Sequence, residues 1–387
     1  MYHQPKRIEF LDSIRGLAAM AVLLGHAVGT FDWPTSSHWV RWIDLPMLAI
    51  PFDGRTAVVM FFVLSGFVLA RPYLTVPAPG QEPRPLFLPT FYLRRWTRIW
   101  IPWFFVLCLS AVVRRFFYTE YVTDPPLLQW VPQWHENITW SGFFRQCSLV
   151  VLGGQRLLPQ DWSLAIELKA SAVIPVFIFL LRRTHFLWLL GLGILHLIFL
   201  DQHGFYIPFV MGALLAKHAD AMVGWLRSLG GKAQGGILLA GVLLYHSRYL
   251  AVMTFGWTHS PYAPEKYFWG TAAVGCVILL AASLSSRRLQ AILNHFTLVF
   301  LGRISFSIFL LHLFVILWVV PFMGHVLNGL GIHQTAVLWP MTLLVGASVT
   351  VGLAALTYRW VEMPSIEFGH WLTAGIQKRL KSAGLIK

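Results

Sequence analysis

The chain has little charge and little cysteine for its length, and both shortages limit what it can be. Only 12% of its 387 residues are charged, about half the share of a soluble domain. Its three cysteines, Cys108, Cys147 and Cys276, are widely spaced, so they indicate neither a disulfide framework nor a paired-cysteine metal motif. The sequence also lacks a Walker A loop, a dinucleotide-binding glycine motif, a G-x-S-x-G motif and an H-E-x-x-H motif. We therefore predict no bound metal.

Acidic residues are also scarce, and the positions of the basic residues explain the imbalance. The chain has 16 Asp and Glu but 30 Lys and Arg, which gives a net charge of +14. If the N-terminus is cytoplasmic, most of the basic residues fall on the cytoplasmic side of the apolar segments, as the positive-inside rule requires. We predict cytoplasmic N- and C-termini, contact with anionic lipid and no binding of nucleic acid.

Long apolar runs are what the sequence has in abundance. Apolar residues make up 57% of the chain, and about eighteen in a row with few charges can cross a bilayer as a helix. We predict an all-α, polytopic integral membrane helical bundle with about ten transmembrane helices. The predicted spans are 14–31, 57–73, 99–113, 161–181, 185–200, 204–217, 235–250, 266–284, 298–320 and 336–358. The segment 143–152 is too short to cross and is interpreted as re-entrant or interfacial.

Two ionisable side chains interrupt the first apolar run. Arg15 and His26 are eleven residues apart, so on a helix they return to nearly the same face, about 16 Å apart along the axis. Ionisable groups in a hydrocarbon environment commonly mark a cavity or a pathway. Asp12 is in position for an i,i+3 ion pair with Arg15, which either bridges the helix end or leaves one face of the arginine for an anion. We predict that this helix forms one wall of an active site.

Two further spans contain titratable groups at a similar depth. If the fourth span enters from the outer side at residue 161, Glu167 lies about 9 Å inside it, and His26 and His312 lie about 7–12 Å inside theirs. We predict that the three groups meet, with Glu167 fixing the tautomer of His26 and the imidazole taking a proton from an attacking hydroxyl. Two alternatives remain open. A histidine can simply hydrogen-bond a neighbouring helix, and Glu167 can form a structural ion pair with Lys169 or an arginine.

Three arginines cluster where the third predicted span begins. Arg94, Arg95 and Arg98 lie within two helical turns of one another. They are either anchors on the cytoplasmic side or a clamp for a phosphorylated ligand, since the guanidinium fork matches phosphate oxygens. In a bilayer core about 30 Å thick, they would lie about 15–20 Å from the level of His26 and Glu167. A phosphorylated carrier with a long flexible arm bridges such a distance, and coenzyme A has that form.

Six short motifs resemble those of the acyltransferase-3 family of multi-pass membrane enzymes, in the same order and over nearly the whole chain. They are 8–18 with His26, 61–70, 95–98, 162–167, 304–312 and 360–364. The family's ninth-helix motif usually has tyrosines where this chain has Phe306 and Phe309. The resemblance implies an acyltransferase-3-like transmembrane domain at 1–370, followed by a basic cytoplasmic tail at 371–387.

The resemblance also implies a function. It implies that the protein is an O-acyltransferase of the bacterial inner membrane, which moves an acyl group, most often acetyl, from cytoplasmic acyl-CoA to a hydroxyl of a carbohydrate or glycolipid acceptor. The expected catalytic residues are His26, Glu167 and Arg15. The expected substrate-binding residues are Arg94, Arg95, Arg98, Asp12, Ser65, Gly66, Trp162, Ser163 and His312.

Three questions stay open from the same residues. The pantetheine arm of the donor would pass Ser65 and Gly66, but small residues in a span also pack helices together. The alternative function is that of a non-catalytic transporter or flippase of lipid-linked sugars, because buried Arg, His and Glu also line transport paths. Direct acyl transfer and a relay through an acyl-histidine are equally compatible with the sequence.

Overall fold

The structure, a computed structural model, describes residues 8–32, 49–75, 87–117, 121–127, 139–149, 157–183, 206–248, 250 and 265–382. Nearly all of these residues are helical, and the only extended pairing among them is an isolated bridge between Phe31 and Leu127. The predicted all-α fold is confirmed for this part of the chain.

The helices are numbered in chain order. They are α1 Glu9–Val28, α2 Gly54–Leu74, α3 Leu88–Phe116, α4 Trp140–Cys147, α5 Asp161–Arg183, α6 Ile207–Ser228, α7 Gly231–Tyr245, α8 Glu265–Ser285, α9 Arg287–Leu293, α10 Phe296–Arg303, α11 Ser305–Phe314, α12 Val320–Gly329, α13 Thr335–Thr357 and α14 Met363–Ser382. A 3₁₀ turn at Ile50–Phe52 precedes α2. π-Helical turns at Val315–Val319 and Tyr358–Glu362 join α11 to α12 and α13 to α14.

Seven helical stretches in the described part of the chain are long and apolar enough to cross a membrane. They are Glu9–Val28, Gly54–Leu74, Leu88–Phe116, Asp161–Arg182, Phe268–Ser285, Ser305–Gly329 and Thr335–Lys378. The chain is therefore an integral membrane protein. In their described residues, the predicted spans 204–217 and 235–250 overlap α6 and α7, which are not among the seven. The predicted span 185–200 lies outside the described residues, and the count of ten stays a prediction.

Two helices begin earlier than the apolar runs indicate. α1 begins at Glu9 rather than at residue 14, and α3 begins at Leu88 rather than at residue 99. Acidic side chains suit the first turn of α1 because the positive end of the helix dipole lies there. Pro89 suits the first turn of α3 because that position needs no N–H donor. The three clustered arginines therefore lie within α3 and not before it.

The predicted span 298–320 is two helices rather than one. α10 ends at Arg303 and α11 begins at Ser305. α11 contains His312 and leads directly into the π-helical turn Val315–Val319. Turns of this kind are rare and occur frequently at functional sites. The helix is therefore irregular just after His312, where the sequence pattern predicts a regular helix.

The chain divides into two compact units. The first contains Met1–Val22, Trp42–Leu86 and Val173–Arg303. The second contains Leu23–Arg41, Phe87–Ala172 and Ile304–Lys387. Both α1 and α5 contribute residues to each unit.

In the first unit, α2 packs against α6 at two glycines. A Cβ atom on Gly66 would overlap the backbone carbonyl of Phe209, and a Cβ atom on Gly212 would overlap that of Val63. Close approach of this kind between membrane helices depends on small residues at the contact. The two glycines thus set the distance between the two helix backbones.

In the second unit, α3 and the first half of α5 run antiparallel. The Tyr92 hydroxyl, near the start of α3, donates to the Ala172 carbonyl over 2.9 Å. Three turns later, the Trp103 indole N–H donates to Asp161, at the start of α5, over 2.7 Å. α14 packs along α3 as well, so α3 is the helix on which the polar groups of α5 and α14 are placed.

Candidate active site

His26 and His312 pack against each other in the second unit. Their ring centroids lie 5.1 Å apart, and the ring planes are tilted by 51°. The residues that follow them, Ala27 and Leu313, belong to one buried apolar cluster, which holds the two backbones together. His26 is half-buried, whereas His312 is completely buried. The structure thus brings together two of the three titratable groups that the sequence predicts to meet.

The backbone next to His312 fixes the tautomer of its ring. Nδ1 lies 2.6 Å from the carbonyl oxygen of Phe309, and since a carbonyl only accepts hydrogen bonds, Nδ1 bears the proton of the neutral ring. Nε2 then has a lone pair, is buried, and has no hydrogen-bond partner within the described residues. Buried polar atoms rarely lack a partner. This nitrogen is therefore a base available to a hydroxyl or an N–H donor.

Glu167 forms an ion pair with Arg95, which joins α5 to α3. The Nε of Arg95 also donates to the Ser171 hydroxyl over 3.0 Å, and that hydroxyl donates to the backbone carbonyl of Glu167 over 2.7 Å. The alternative in which Glu167 pairs with an arginine is therefore present in the structure. The predicted orientation of His26 by Glu167 stays a prediction.

This ion pair corrects the expected depth of the arginines. The sequence predicts that the arginine cluster lies about 15–20 Å from the level of Glu167. This is wrong for Arg95, which contacts Glu167 directly. The expectation assumed that α3 begins at residue 99. α3 begins at Leu88, and α5 begins opposite Trp103 and runs antiparallel to α3. In this register the residue two turns into α5 lies opposite the residue two turns into α3.

A buried network at the start of α5 was not anticipated from the sequence. Asp161 accepts hydrogen bonds from the Trp103 indole and the Gln146 amide, each over 2.7 Å. The Gln160 amide donates to the Leu310 carbonyl over 2.8 Å. Through these bonds the start of α5 is fixed to α3, α4 and α11. An aspartate directly before an apolar helix is a common capping signal, and that signal was available in the sequence.

The two predicted binding residues that follow Asp161 lie beside this network. Ser163 is buried, and its hydroxyl donates within the same turn over 2.9 Å. Trp162 is half-buried. Their roles in binding substrate stay predictions.

Cys147, at the end of α4, is the cysteine nearest to this network in the chain. Its backbone carbonyl accepts a hydrogen bond from the Trp100 indole over 3.2 Å. Burial raises the pKa of the Cys147 thiol above its usual range. A thiol is nucleophilic as the thiolate, so these surroundings favour an inert cysteine.

α14 adds polar groups to the arginine cluster that the sequence analysis assigned to no site. The Nε of Arg94 donates to the Thr373 hydroxyl over 2.8 Å. The charges of Arg94, Arg98 and Glu367 all act on His370, and Arg98 is exposed. The expected domain end at residue 370 falls inside α14, which continues to Ser382. A cluster of guanidinium groups with an imidazole suits the oxygens of phosphate groups.

Two of the resembling motifs meet in the second unit. The Ser307 hydroxyl of α11 donates to the Glu362 carboxylate over 2.7 Å, and both side chains are buried. Glu362 ends the π-helical turn Tyr358–Glu362. The motif at 304–312 is thus tied to the motif at 360–364, and this bond supports the helix that contains His312.

In the first unit, Asp12 and Arg15 form the predicted i,i+3 ion pair. Nη1 of Arg15 lies 3.3 Å from Oδ1 of Asp12. A Cβ atom on Gly302 would overlap the backbone of Asp12, so α10 packs directly against this turn of α1. The catalytic role of Arg15 and the binding role of Asp12 stay predictions.

Gly66 lies at a close contact between two helices. The space beside its Cα atom is filled by the Phe209 carbonyl, and the passage of the pantetheine arm along Ser65 and Gly66 stays a prediction. Of the two interpretations of this small residue, helix packing is the one that the structure supports. Ser65 is buried next to it.

The described helices define an integral membrane protein that contains a packed histidine pair and a shielded arginine–glutamate pair. Residues 8–359 match the family model described as an acyltransferase domain. The chain therefore belongs to this family, the acyltransferase-3 family, and the resemblance drawn from the six motifs is confirmed.

Curated relatives are named as O-acetyltransferases. The chain is 22% identical over 432 residues to the O-acetyltransferase PaAT-1 of Phomopsis amygdali, with 94% of this chain and 84% of that protein covered. It is 24% identical over 389 residues to the peptidoglycan O-acetyltransferase OatA of Listeria monocytogenes serovar 1/2a, with 93% of this chain and 56% of that protein covered. No solved structure matches the chain.

Proposed function

We propose that this protein is a membrane-embedded O-acyltransferase that moves an acyl group, acetyl in the simplest case, from cytoplasmic acyl-CoA to a hydroxyl of a carbohydrate or glycolipid. Membership of the acyltransferase family and the two relatives named O-acetyltransferases support the class of reaction. The contact between His26 and His312, with a buried unpartnered nitrogen, supports the chemistry.

The proposed transfer needs a base at the acceptor hydroxyl. The acceptor oxygen attacks the thioester carbonyl carbon, a C–O bond forms, and the C–S bond to coenzyme A breaks. His26 takes the hydroxyl proton, because it is the more accessible of the two histidines. In this proposal the His26 ring turns to donate its other N–H to Nε2 of His312, which has no partner within the described residues, and this bond orients the base. The departing thiolate takes up a proton, which balances the reaction. A positioned base of this kind contributes about 10²–10⁴-fold to the rate.

The proposed donor site is the arginine cluster on α3. Arg94 and Arg98 supply positive charge for the phosphates of coenzyme A, and the neighbouring His370 adds a ring N–H donor. Arg95 contributes less free charge because Glu167 neutralises it. In the proposed topology of ten spans with both termini in the cytoplasm, the donor comes from the inner side of a bacterial inner membrane and the acceptor from the outer side.

Transfer of radiolabelled acetyl groups tests this proposal. Protein purified into lipid nanodiscs is incubated with labelled acetyl-CoA and candidate glycans, and we expect labelled glycan. His26→Ala should reduce turnover by about 10²-fold or more with an unchanged melting temperature. His333→Ala, which alters an exposed histidine, is the matched control.

Two results would contradict the proposal. Normal turnover by His26→Ala would remove this histidine from the mechanism. Passage of a lipid-linked sugar across the membrane without acyl-CoA, together with no labelled product, would favour the transporter alternative.

A further inference from the structure

Gln160, the residue directly before α5, contains a buried acceptor atom that the proposed mechanism does not use. The residue is only 4% exposed. Its amide nitrogen donates to the Leu310 carbonyl over 2.8 Å. Its amide oxygen, Oε1, is also buried and has no hydrogen-bond partner within the described residues. Buried polar atoms rarely lack a partner, and each exception needs an explanation.

The direction in which this amide points follows from its partner. A backbone carbonyl only accepts hydrogen bonds, so the nitrogen of the amide faces Leu310 and Oε1 lies at the other end. The backbone of Gln160 is fixed as well, because the N–H and the hydroxyl of Ser163 both donate to its carbonyl, over 3.2 and 2.9 Å. The position of Oε1 is therefore set by α11 and by the first turn of α5.

The Gln160 amide is attached to the same helical turn as the histidine pair. It bonds to the carbonyl of Leu310, whereas Nδ1 of His312 bonds to the carbonyl of Phe309. The two side chains thus bind consecutive carbonyls of one turn of α11. His312 in turn packs against His26. All of these residues belong to the second unit, so the unpartnered oxygen lies in the same unit as the proposed base.

The chemistry of this oxygen defines the ligand that it can bind. An amide oxygen is uncharged and only accepts hydrogen bonds, so its ligand is a neutral O–H or N–H donor. The adjacent carboxylate, Asp161, is itself an acceptor. It is already bound by the Trp103 indole and the Gln146 amide, each over 2.7 Å. Sugars suit such a site because they offer hydroxyls on neighbouring carbons.

We infer that Gln160 is a binding residue for the acyl acceptor, and that Oε1 accepts a hydrogen bond from a hydroxyl next to the one that is acylated. The acceptor then presents two neighbouring hydroxyls, one to His26 and one to Gln160. In the proposed topology α5 begins at the outer side, from which the acceptor comes. The identity of the ligand as the acceptor rests on the proposed function. The site rests on the burial, the orientation and the unpartnered oxygen of the amide.

Acceptors that lack single hydroxyls test the inference. Protein in phosphatidylcholine nanodiscs is given labelled acetyl-CoA with the methyl glycoside of N-acetylglucosamine, or with a monodeoxy analogue of this glycoside. The analogue without the acylated hydroxyl should give no product. We expect another analogue to lose about tenfold in kcat/KM, because Oε1 is then left without its donor. Equal kcat/KM values for all acylated analogues and the full glycoside would overturn the inference.

The variant Gln160→Met separates substrate binding from structural support. It keeps the length of the side chain but removes the amide, so the bond to Leu310 and the bond to the acceptor are both lost. Loss of the Leu310 bond lowers turnover of every acceptor by the same factor. Loss of the acceptor bond is selective, so the variant should use the full glycoside and the tenfold-weaker analogue equally well. A tenfold difference that persists in the variant, as for independent changes, would overturn the inference.

A matched control uses a glutamine with a similar structural role elsewhere. The Gln290 amide also donates to helix carbonyls, those of Ser283 and Leu284, over 3.0 and 2.9 Å in the first unit. Gln290→Met should keep both the turnover and the tenfold difference. Loss of the difference in this control would show that it does not report on Gln160. Gln160→Leu serves if Gln160→Met is unstable.

Two further measurements separate the inference from the proposed function. Isothermal titration without acetyl-CoA measures binding of the same glycosides. If Gln160→Met removes a difference in affinity but no acetyl group is transferred, the site stands and the proposed function is rejected. Transfer with a difference that the variant leaves unchanged would reject the site alone. The second measurement uses a donor in which an ester replaces the cysteamine amide of acetyl-CoA. If Gln160→Met removes a preference for the amide donor and no preference for a hydroxyl, Gln160 binds the donor and the inference falls.

Discussion

Arg95 and Glu167 join α3 to α5 through an ion pair that is largely shielded from solvent, with the two side chains 14% and 23% exposed. The sequence predicts that these residues lie about 15–20 Å apart, one at the donor phosphates and one beside the catalytic base. Their contact means that a change at either residue affects both helices. It also means that their effects on activity must be separated from their effects on stability.

The first prediction concerns the stability that this ion pair provides. Glu167→Gln leaves the Arg95 charge without its counterion, and we expect a loss of about 2 kcal/mol in the free energy of unfolding. This lies between the ~1 kcal/mol or less of an exposed pair and the ~3–5 kcal/mol of a fully buried pair that loses one partner. Denaturant titration in detergent measures it.

The matched control for this prediction is Glu9→Gln, which removes the carboxylate of an exposed ion pair with Arg303. Its stability should barely change. The double change Arg95→Met and Glu167→Leu should cost less than the sum of the two single changes, because neither charge is left alone. Equal losses for Glu9→Gln and Glu167→Gln would contradict the assignment of a shielded pair.

The second prediction concerns the donor phosphates. Arg98→Gln should raise the KM for acetyl-CoA about tenfold and leave kcat unchanged, since one charge-assisted hydrogen bond to phosphate is lost. The KM for acetyl-pantetheine, which has no phosphate, should not change. Steady-state kinetics with the two donors gives both values.

Two controls accompany this measurement. Arg288→Gln changes an exposed arginine of α9 and should alter neither KM. Thr373→Ala, which removes the hydroxyl that holds Arg94, should give a smaller increase for acetyl-CoA, and Thr373→Ser should restore the original value. A parallel increase in both KM values for Arg98→Gln would rule out a phosphate contact.

The third prediction concerns the packing of α2 against α6. Gly66→Ala places a methyl group where the Phe209 carbonyl lies, so the two helices must separate, and we expect a lower melting temperature. Gly235→Ala is the control, because a Cβ atom there meets nothing within 4 Å. That change should raise stability by about 0.5–1 kcal/mol, as glycine disfavours a helix interior. Similar behaviour of the two variants would show that Gly66 does not set the helix distance.

Local features of the site could be predicted from the sequence more readily than its long-range contacts. The Asp12–Arg15 pair follows from helical spacing alone, and it is present. The meeting of His26 and His312 followed from depths counted inward from helix ends, and it is present as well. The partner of Glu167 was open because a single turn of error in a helix start changes which residues lie opposite each other. The apolar run placed the start of α3 at residue 99, eleven residues after the Leu88 at which it begins.

Other parts of the site depend on packing that no pattern in the sequence states. The Asp161 network joins residues from α3, α4 and α5. The contact of Arg94 with Thr373 connects positions 279 residues apart in the chain. A basic, amphipathic C-terminal stretch such as α14 has the composition of a tail, and only its packing along α3 distinguishes it from one.

The hydrogen bond that orients His312 comes from the main chain of Phe309 and not from a side chain. Any amino acid at position 309 supplies the same oxygen, so the tautomer of His312 does not depend on that side chain. The Phe309 ring also packs against the imidazole, with the ring centroids 5.4 Å apart, and a tyrosine in its place would keep both the oxygen and the aromatic face.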